Sequence, residues 1–307
     1  MAAIDAGSNT TRLLAVEVAA DGTFTELDRR LIFTRLGEGV DAHRRLAPAA
    51  IARTVAAIKD YTDQCAALGV SRVRIAGTSA VREAANREEL RTAVREATGH
   101  ELDVIPGEEE AALSFAGATR DLGAGRYLMC DIGGGSTELA VGRVRARAAE
   151  VEQAVSLPLG VVRMTERHLH HDPPGGAELS ALESDVLATL EAAAGTLAEP
   201  GNSMLVGVAG TVTSLAAITL GLAAYDPKAV HGSWLSQEQI NDLYASLATM
   251  PLAAREAIPS LPPGRADVIV AGCAILSCIA DRWCFRGVRV SEKDILDGLV
   301  FQITGDH

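Results

Sequence analysis

The chain has 307 residues with 28 Lys+Arg against 40 Asp+Glu, a net charge of −12. Apolar residues make up 48% and aromatics 4%, which excludes a disordered or fibrous chain and implies an aliphatic core. Such acidity argues against nucleic acid or an anionic membrane as partners, yet leaves room for a polyanion gripped locally by a few arginines and a metal ion. The longest apolar run, Val268 to Ala280, is too short to span a bilayer, and no basic region precedes an apolar stretch at the start. Five scattered cysteines without a CxxC pair read as buried, reduced thiols, so the expectation is a soluble, cytoplasmic protein.

The length suggests two domains. In chain order, residues 1–33 alternate in three bursts that predict three strands, with a glycine turn between the first two. Helical spacing over 48–69 opens on Pro48 and stops at Gly69. RVRIAG predicts a strand, and Asn86 with Glu89 resembles a capping box opening a helix that ends at Gly99. LDVI is a strand and 108–122 a helix, giving a β-β-β-α-β-α-β-α order that fits an α/β layer fold. After a glycine break at 123–125, YLMCDI, TELAVGRV and VEQAVSL predict strands, followed by helices over 160–168 and 177–197. SMLVGVAG predicts a strand, 211–220, 236–249 and 266–283 helices, GVRV a last strand and 294–303 a last helix. His168, His170 and His171 lie in a Pro/Gly-rich loop at a spacing that does not fit one metal ion.

An internal repeat carries the first functional clue. Asp5-Ala-Gly-Ser-Asn-Thr-Thr-Arg lies over Asp131-Ile-Gly-Gly-Gly-Ser-Thr-Glu at an ungapped offset of 126 residues. Each copy follows an apolar strand and leads into another, so the fold looks duplicated. The small residues of these turns (Gly7, Ser8, Asn9; Gly133, Gly134, Gly135, Ser136, Thr137) let backbone amides approach an anion, and the side chains of Ser8, Asn9, Ser136 and Thr137 add donors. Asp5 and Asp131, at the strand ends, are candidates to hold Mg2+; either could instead cap its turn. A dinucleotide-binding loop is excluded by context, because that motif opens a helix whereas TELAVGRV reads as a strand.

The paired turns resemble the actin-like ATPase superfamily, with two ribonuclease H-like α/β domains around a cleft. AIDAGSNTTRLL, AGTSAVREA, VIPGEEEAALSFAGA, CDIGGGSTEL, LPLGVVRMTE and VAGTVTSLAAI narrow the resemblance to the exopolyphosphatase / guanosine pentaphosphate phosphohydrolase (Ppx/GppA) family. The blocks run in the family's order over nearly the whole chain, which resembles the short form without the additional C-terminal helical domains. The resemblance implies a domain I over residues 1–123, a domain II over 124–292, and a C-terminal helix, 293–307, that packs back on domain I. It also implies a Mg2+-dependent phosphohydrolase and a homodimer.

Glu110 matches the family's general base. A carboxylate there can orient and deprotonate a water in line with a terminal phosphorus; without the resemblance, Glu108 to Glu110 could merely complement a helix dipole. Glu138 matches a second functional position and is expected to place the water. Arg82 matches an arginine facing substrate phosphate, a task that suits the fork of a guanidinium. Thr78 and Ser79 end a strand where loops often meet ligand, and Arg163 is a weaker phosphate candidate, a structural ion pair being its alternative. Gly210 and Thr211 would present free amides at a helix start, or Thr211 would cap that helix. The substrate expected is inorganic polyphosphate, with short chains favoured, and guanosine pentaphosphate is the alternative; a catalytically silent sensor is opposed by Glu110 and Glu138, and a sugar or acetate kinase by the Glu-Glu-Ala block and the lack of a recognisable acceptor site.

Overall fold

The computed structural model describes residues 1–19, 23–146, 148–197 and 200–304. The strands are β1 (Ala2–Ala6), β2 (Thr10–Val18), β3 (Phe24–Phe33), β4 (Val73–Gly77), β5 (Leu102–Val104), β6 (Gly125–Ile132), β7 (Thr137–Arg145), β8 (Ala148–Leu157), β9 (Met204–Val208), β10 (Trp234–Ser236) and β11 (Gly287–Val290). The helices of the first half are α1 (Val40–His43), α2 (Pro48–Ala67), α3 (Ser79–Glu83), α4 (Arg87–Thr98) and α5 (Gly107–Thr119). Those that follow are α6 (Val161–His168), α7 (Gly176–Ala193), α8 (Ala209–Thr219), α9 (Pro227–Val230), α10 (Gln237–Thr249), α11 (Leu252–Glu256), α12 (Ile269–Arg282) and α13 (Ile295–Thr304).

Two sheets result, ordered β3-β2-β1-β4-β5 and β10-β11-β9-β6-β7-β8. Apart from the short edge strand β10 they share one plan. The first three strands pair antiparallel and the next two join in parallel, β4 and β5 in one sheet, β9 and β11 in the other. The duplication read from the turns extends to a fine detail: the β2–β3 ladder shifts register between Ala15 and Val16, where Leu27 of β3 is passed over, and the β7–β8 ladder does so at the equivalent place, between Val141 and Gly142, where Glu152 of β8 is passed over.

The central strand β1 is buried throughout, as expected of a strand covered on both faces. Helix α2, with Pro48 in its first turn, packs Ile58, Tyr61 and Cys65 on the first sheet. In the second half, α12 is buried along most of its length, which explains its all-round apolar sequence as a core helix. Among the described residues no helix is long and apolar enough to cross a membrane. Helix α5 lies between the sheets, with Ala111, Phe115 and Ala118 against the second and Leu113 against α13 and the first. The crossing of α5 and α13 is close: a Cβ on Gly117 would meet the Asp294 carbonyl oxygen at 1.9 Å, and one on Gly298 the Leu113 carbonyl oxygen at 2.1 Å. Helix α13 thereby rests on the first half and sets Asp294 beside the β1–β2 turn.

Several local expectations change. Asn86 precedes α4 but does not cap it: its side chain accepts from the Leu46 amide at 2.8 Å and donates to the Leu46 carbonyl at 3.1 Å. A long-range tie to the chain before α2 thus outcompetes the local cap. Helix α8 starts at Ala209, two residues before the expected Thr211, with Ala209 in the left-handed region (φ 64°). Helix α12 starts at Ile269, three residues later than expected, because Pro262, Gly264 and Arg265 shape a turn there.

Candidate active site

Each β-turn-β unit is closed by the same bond. The Gly7 amide donates to the Thr10 carbonyl at 3.0 Å, and the Gly133 amide to the Ser136 carbonyl at 3.0 Å. The amides of Ser8, Asn9, Gly134 and Gly135 are left without an acceptor among the described residues. Successive amides free in a turn form an anion-binding concavity. The two turns face each other at van der Waals distance. A Cβ on Gly134 would lie 2.9 Å from the Asn9 nitrogen, and one on Gly135 would lie 2.6 Å from the Ser8 hydroxyl and 2.7 Å from that of Ser79. Glycine is therefore required at both positions for the halves to approach this closely.

Between the turns lies an open cleft with about 780 Å³ of empty space. Its lining includes Asp5, Gly7, Ser8, Asn9, Thr78, Glu110 and Asp131, and also Gly133, Gly134, Gly135, Ser136, Glu138, Gly210 and Thr211. These residues come from β1, β6, β7, their turns, and the starts of α3, α5 and α8. Thr137 does not line the cleft; it is fully buried and its hydroxyl donates to the Leu159 carbonyl. Arg82 and Arg163 are likewise not among its lining residues, Arg82 lying in an adjoining pocket with Ser136. Arg82 donates to Glu110 Oε2 at 2.8 Å and to the Ile105 carbonyl at 3.1 Å, because α3 sets it behind the first turn of α5. Arg163 is the structural alternative: it donates to the Gly135 carbonyl at 2.7 Å, to Glu83 Oε1 at 2.6 Å and to Asp41. It thus clasps the second half to the first.

Four carboxylates, Asp5, Glu110, Asp131 and Glu138, are buried around this space. Burial pushes Glu110 well above the usual carboxylate range; the charge of Glu138 adds to this, and Arg82 opposes it. Burial likewise raises Glu138, against donors from Ser136 at 2.6 Å and Ser156 at 2.7 Å, both to Oε1. Burial, then Glu138 and Asp294, raise Asp131 to about 7, while Ser114 donates to its Oδ2 at 2.7 Å. Asp5 is raised by burial although Arg12 donates to its Oδ2 at 2.7 and 3.1 Å. Carboxylates whose ionisation is costly when the cleft is empty mark a site prepared for cationic or proton-transfer chemistry.

Two arginines that sequence reasoning left unassigned line the same cleft. Arg12 neutralises Asp5 and Asp294 together. Arg265 lies against the start of α8, where a Cβ on Gly210 would be 1.5 Å from its Nη1. Its contacts are the Ser214 hydroxyl at 3.3 Å and the Phe33 ring at 6.0 Å, and its Nε is buried without a partner. Arg12 was visible in the repeat as the counterpart of Glu138, and Arg265 only as the residue ending SLPPGR.

Comparison with known proteins decides the family: residues 15–307 match the Ppx/GppA phosphatase family. The chain belongs to that family. It is 38% identical to "Exopolyphosphatase 2" of Mycobacterium tuberculosis, over 99% of this chain and 98% of the relative. It is 27% identical to the "Guanosine-5'-triphosphate,3'-diphosphate pyrophosphatase" of Aeromonas salmonicida, over 100% of this chain and 60% of the relative. A solved structure described as an exopolyphosphatase-like protein superposes with a TM-score of 0.91 at 35% identity, covering 98% of both chains. The two sheets are accordingly those of a two-domain actin-like fold with the cleft between them.

Proposed function

We propose that the protein is an exopolyphosphatase, releasing terminal orthophosphate from inorganic polyphosphate, with short chains favoured. The observation that carries this reading is the convergence of Glu110 and Glu138 on one cleft with two turns whose amides lack acceptors. The amides of Ser8, Asn9, Gly134 and Gly135 would hold the terminal phosphoryl group, with the hydroxyls of Ser8, Thr78 and Ser136 and the start of α8 beside them. Glu110, raised by its surroundings and reached by Arg82 through one oxygen, would take the proton of the attacking water. Glu138 would orient that water. The leaving phosphate chain is a weak base, so a strong general acid is unnecessary.

Mg2+ fits this donor set. Asp5 Oδ1 is buried without a partner, and Asp131 faces the same cleft. Among the described residues no group of three or more His, Cys, Asp or Glu could hold a metal by itself. That suits an ion usually held by one or two carboxylates together with substrate phosphates and water. When bound, it would neutralise phosphate charge. The rest of the polyanion would meet an adjoining pocket with about 690 Å³ of empty space, lined by Arg12, Arg29, Arg30 and Arg265 together with Glu292 and Asp294; of these arginines Arg265 has no salt bridge among the described residues.

The same site could serve guanosine pentaphosphate. The 38% identity to an exopolyphosphatase over nearly all of both chains favours polyphosphate. The reading includes a division into residues 1–123 and 124–292 with a C-terminal segment, 293–307, returning to the first part, supported by the packing of α13 on β1; residues 305–307 lie outside the described residues. Homodimerisation, which rests on the family resemblance, and a cytoplasmic location, which rests on the scattered thiols without a CxxC pair, complete it. The test is orthophosphate release from polyphosphate and from guanosine pentaphosphate with Mg2+: faster release from polyphosphate supports the reading, and faster release from the nucleotide replaces it.

A further inference from the structure

Two carboxylates that handle one water need a fixed separation, yet Glu110 stands on α5 and Glu138 on β7. The side chain joining them is Ser156 of β8, which lies directly opposite Glu138 in the β7–β8 ladder. Its hydroxyl donates to Glu138 Oε1 at 2.7 Å. The same oxygen accepts from Arg82 Nη2 at 3.3 Å, and Arg82 Nη1 donates to Glu110 Oε2 at 2.8 Å. A hydroxyl with one proton and two lone pairs can satisfy both bonds at once. The sequence also leaves room for it: a Cβ on Gly107, the first residue of α5, would sit 2.3 Å from Ser156 Cβ. Each carboxylate is thus held from behind through one oxygen. Glu110 Oε1 and Glu138 Oε2 have no donor among the described residues.

We infer that Ser156 is a positioning residue for the hydrolysis: it links Glu138, Arg82 and Glu110 into one frame that sets how the two carboxylates face the attacking water. The inference rests on the hydrolytic reading above. It also gives Arg82 a task, since that guanidinium is the middle member of the frame. A hydroxyl serving only the fold would affect stability and leave the chemical step alone. A hydroxyl that sets catalytic geometry would affect kcat, because misplacing reacting groups by about 1 Å can cost about 100-fold.

The experiment is steady-state orthophosphate release from short polyphosphate with Mg2+ by the full-length wild type, Ser156→Ala, Arg82→Gln, the double variant and Gly107→Ala, with a Tm for each. Gly107→Ala keeps the hydroxyl but displaces it, so it reports on position independently of Ser156→Ala. Expected is a kcat lowered by about 10- to 100-fold in Ser156→Ala with KM within about twofold of wild type. Gly107→Ala should fall the same way. The double variant should be no more than about threefold worse than the poorer single variant, as for two parts of one device. The inference is overturned if Ser156→Ala keeps the wild-type kcat, if only KM or Tm changes, or if the two losses multiply. A wild type inactive on polyphosphate would instead overturn the hydrolytic reading, and the inference with it.

Discussion

Arg12 and Glu138 occupy the same place in two copies of one turn: Arg12 lies directly across its ladder from Asp5, and Glu138 across its ladder from Asp131. One duplicated scaffold thus carries opposite charges at equivalent positions. In the first half the aspartate is neutralised, since Arg12 bonds both Asp5 and Asp294. In the second half two acids face each other, and Asp131 is held high by burial first and by the charge of Glu138 second. The symmetry of the backbone is kept while the chemistry of the two turns has diverged.

Arg12→Met should therefore leave two buried carboxylates without their cation. A loss of about 3 kcal/mol is expected in denaturant unfolding. A loss below about 1 kcal/mol would mean that the ion pairs contribute little.

Asp131 gives a pH dependence of stability in the metal-free protein. Its folded pKa, about 7, lies above the ordinary aspartate value of 3.8. The folded state therefore binds the extra proton, and this contribution is full below about pH 4 and lost as pH rises towards 7. In EDTA, the stability of wild type relative to Asp131→Asn should fall across that window. A difference that stays constant or rises would contradict the assignment.

Arg265 is a half-buried cation whose Nε has no partner; among the described residues no carboxylate lies within salt-bridge distance of it, Glu292 acting only from farther off, and desolvation disfavours its charge. Such a group destabilises the empty protein and favours an anionic ligand. Arg265→Met should raise the KM for polyphosphate by about 10-fold or more while leaving the Tm of the free protein unchanged or higher. A lower Tm with unchanged KM would make Arg265 structural.

The clasp predicts how the width of the cleft is set. Arg163 bonds Asp41 and Glu83 in the first half, Arg167 bonds Asp41 as well, and the Gly39 amide donates to Glu166. On the other side of the cleft, Arg35 pairs with Asp267 at 2.7 Å. Arg163→Met should widen the cleft, seen as a larger radius of gyration in small-angle scattering at moderate salt. An unchanged radius would place the closing force elsewhere, in the turn-to-turn packing.

How much of this was legible in the sequence depends on distance along the chain. The three opening strands, the duplicated turns and the main helices follow from local periodicity and from glycines at the turns. Glu110 and Glu138 could be singled out because recognisable family blocks surround them, and Asp131 because it repeats the place of Asp5 in the duplicated turn. Contacts between distant segments left no such trace. Ser156 meets Arg82 across 74 positions, and Arg265 meets the start of α8 only when two loops fold together. Arg82 was expected to face phosphate from its family block, whereas its bond to Glu110, set by the five-residue helix α3, could not be read from the sequence. Asn86 shows the same limit on a smaller scale, since a capping pattern was present while the side chain bonded a segment 40 positions away.

The central claim is that Glu110 activates water against a terminal phosphoanhydride, and one assay tests it most directly: orthophosphate release with Mg2+ from short polyphosphate, long polyphosphate and guanosine pentaphosphate, by wild type and by Glu110→Gln. The account predicts fastest release from short polyphosphate, and a loss of about 100-fold or more in Glu110→Gln with the protein still folded. Release that persists in Glu110→Gln, or a wild type that binds polyphosphate and releases nothing, would contradict it.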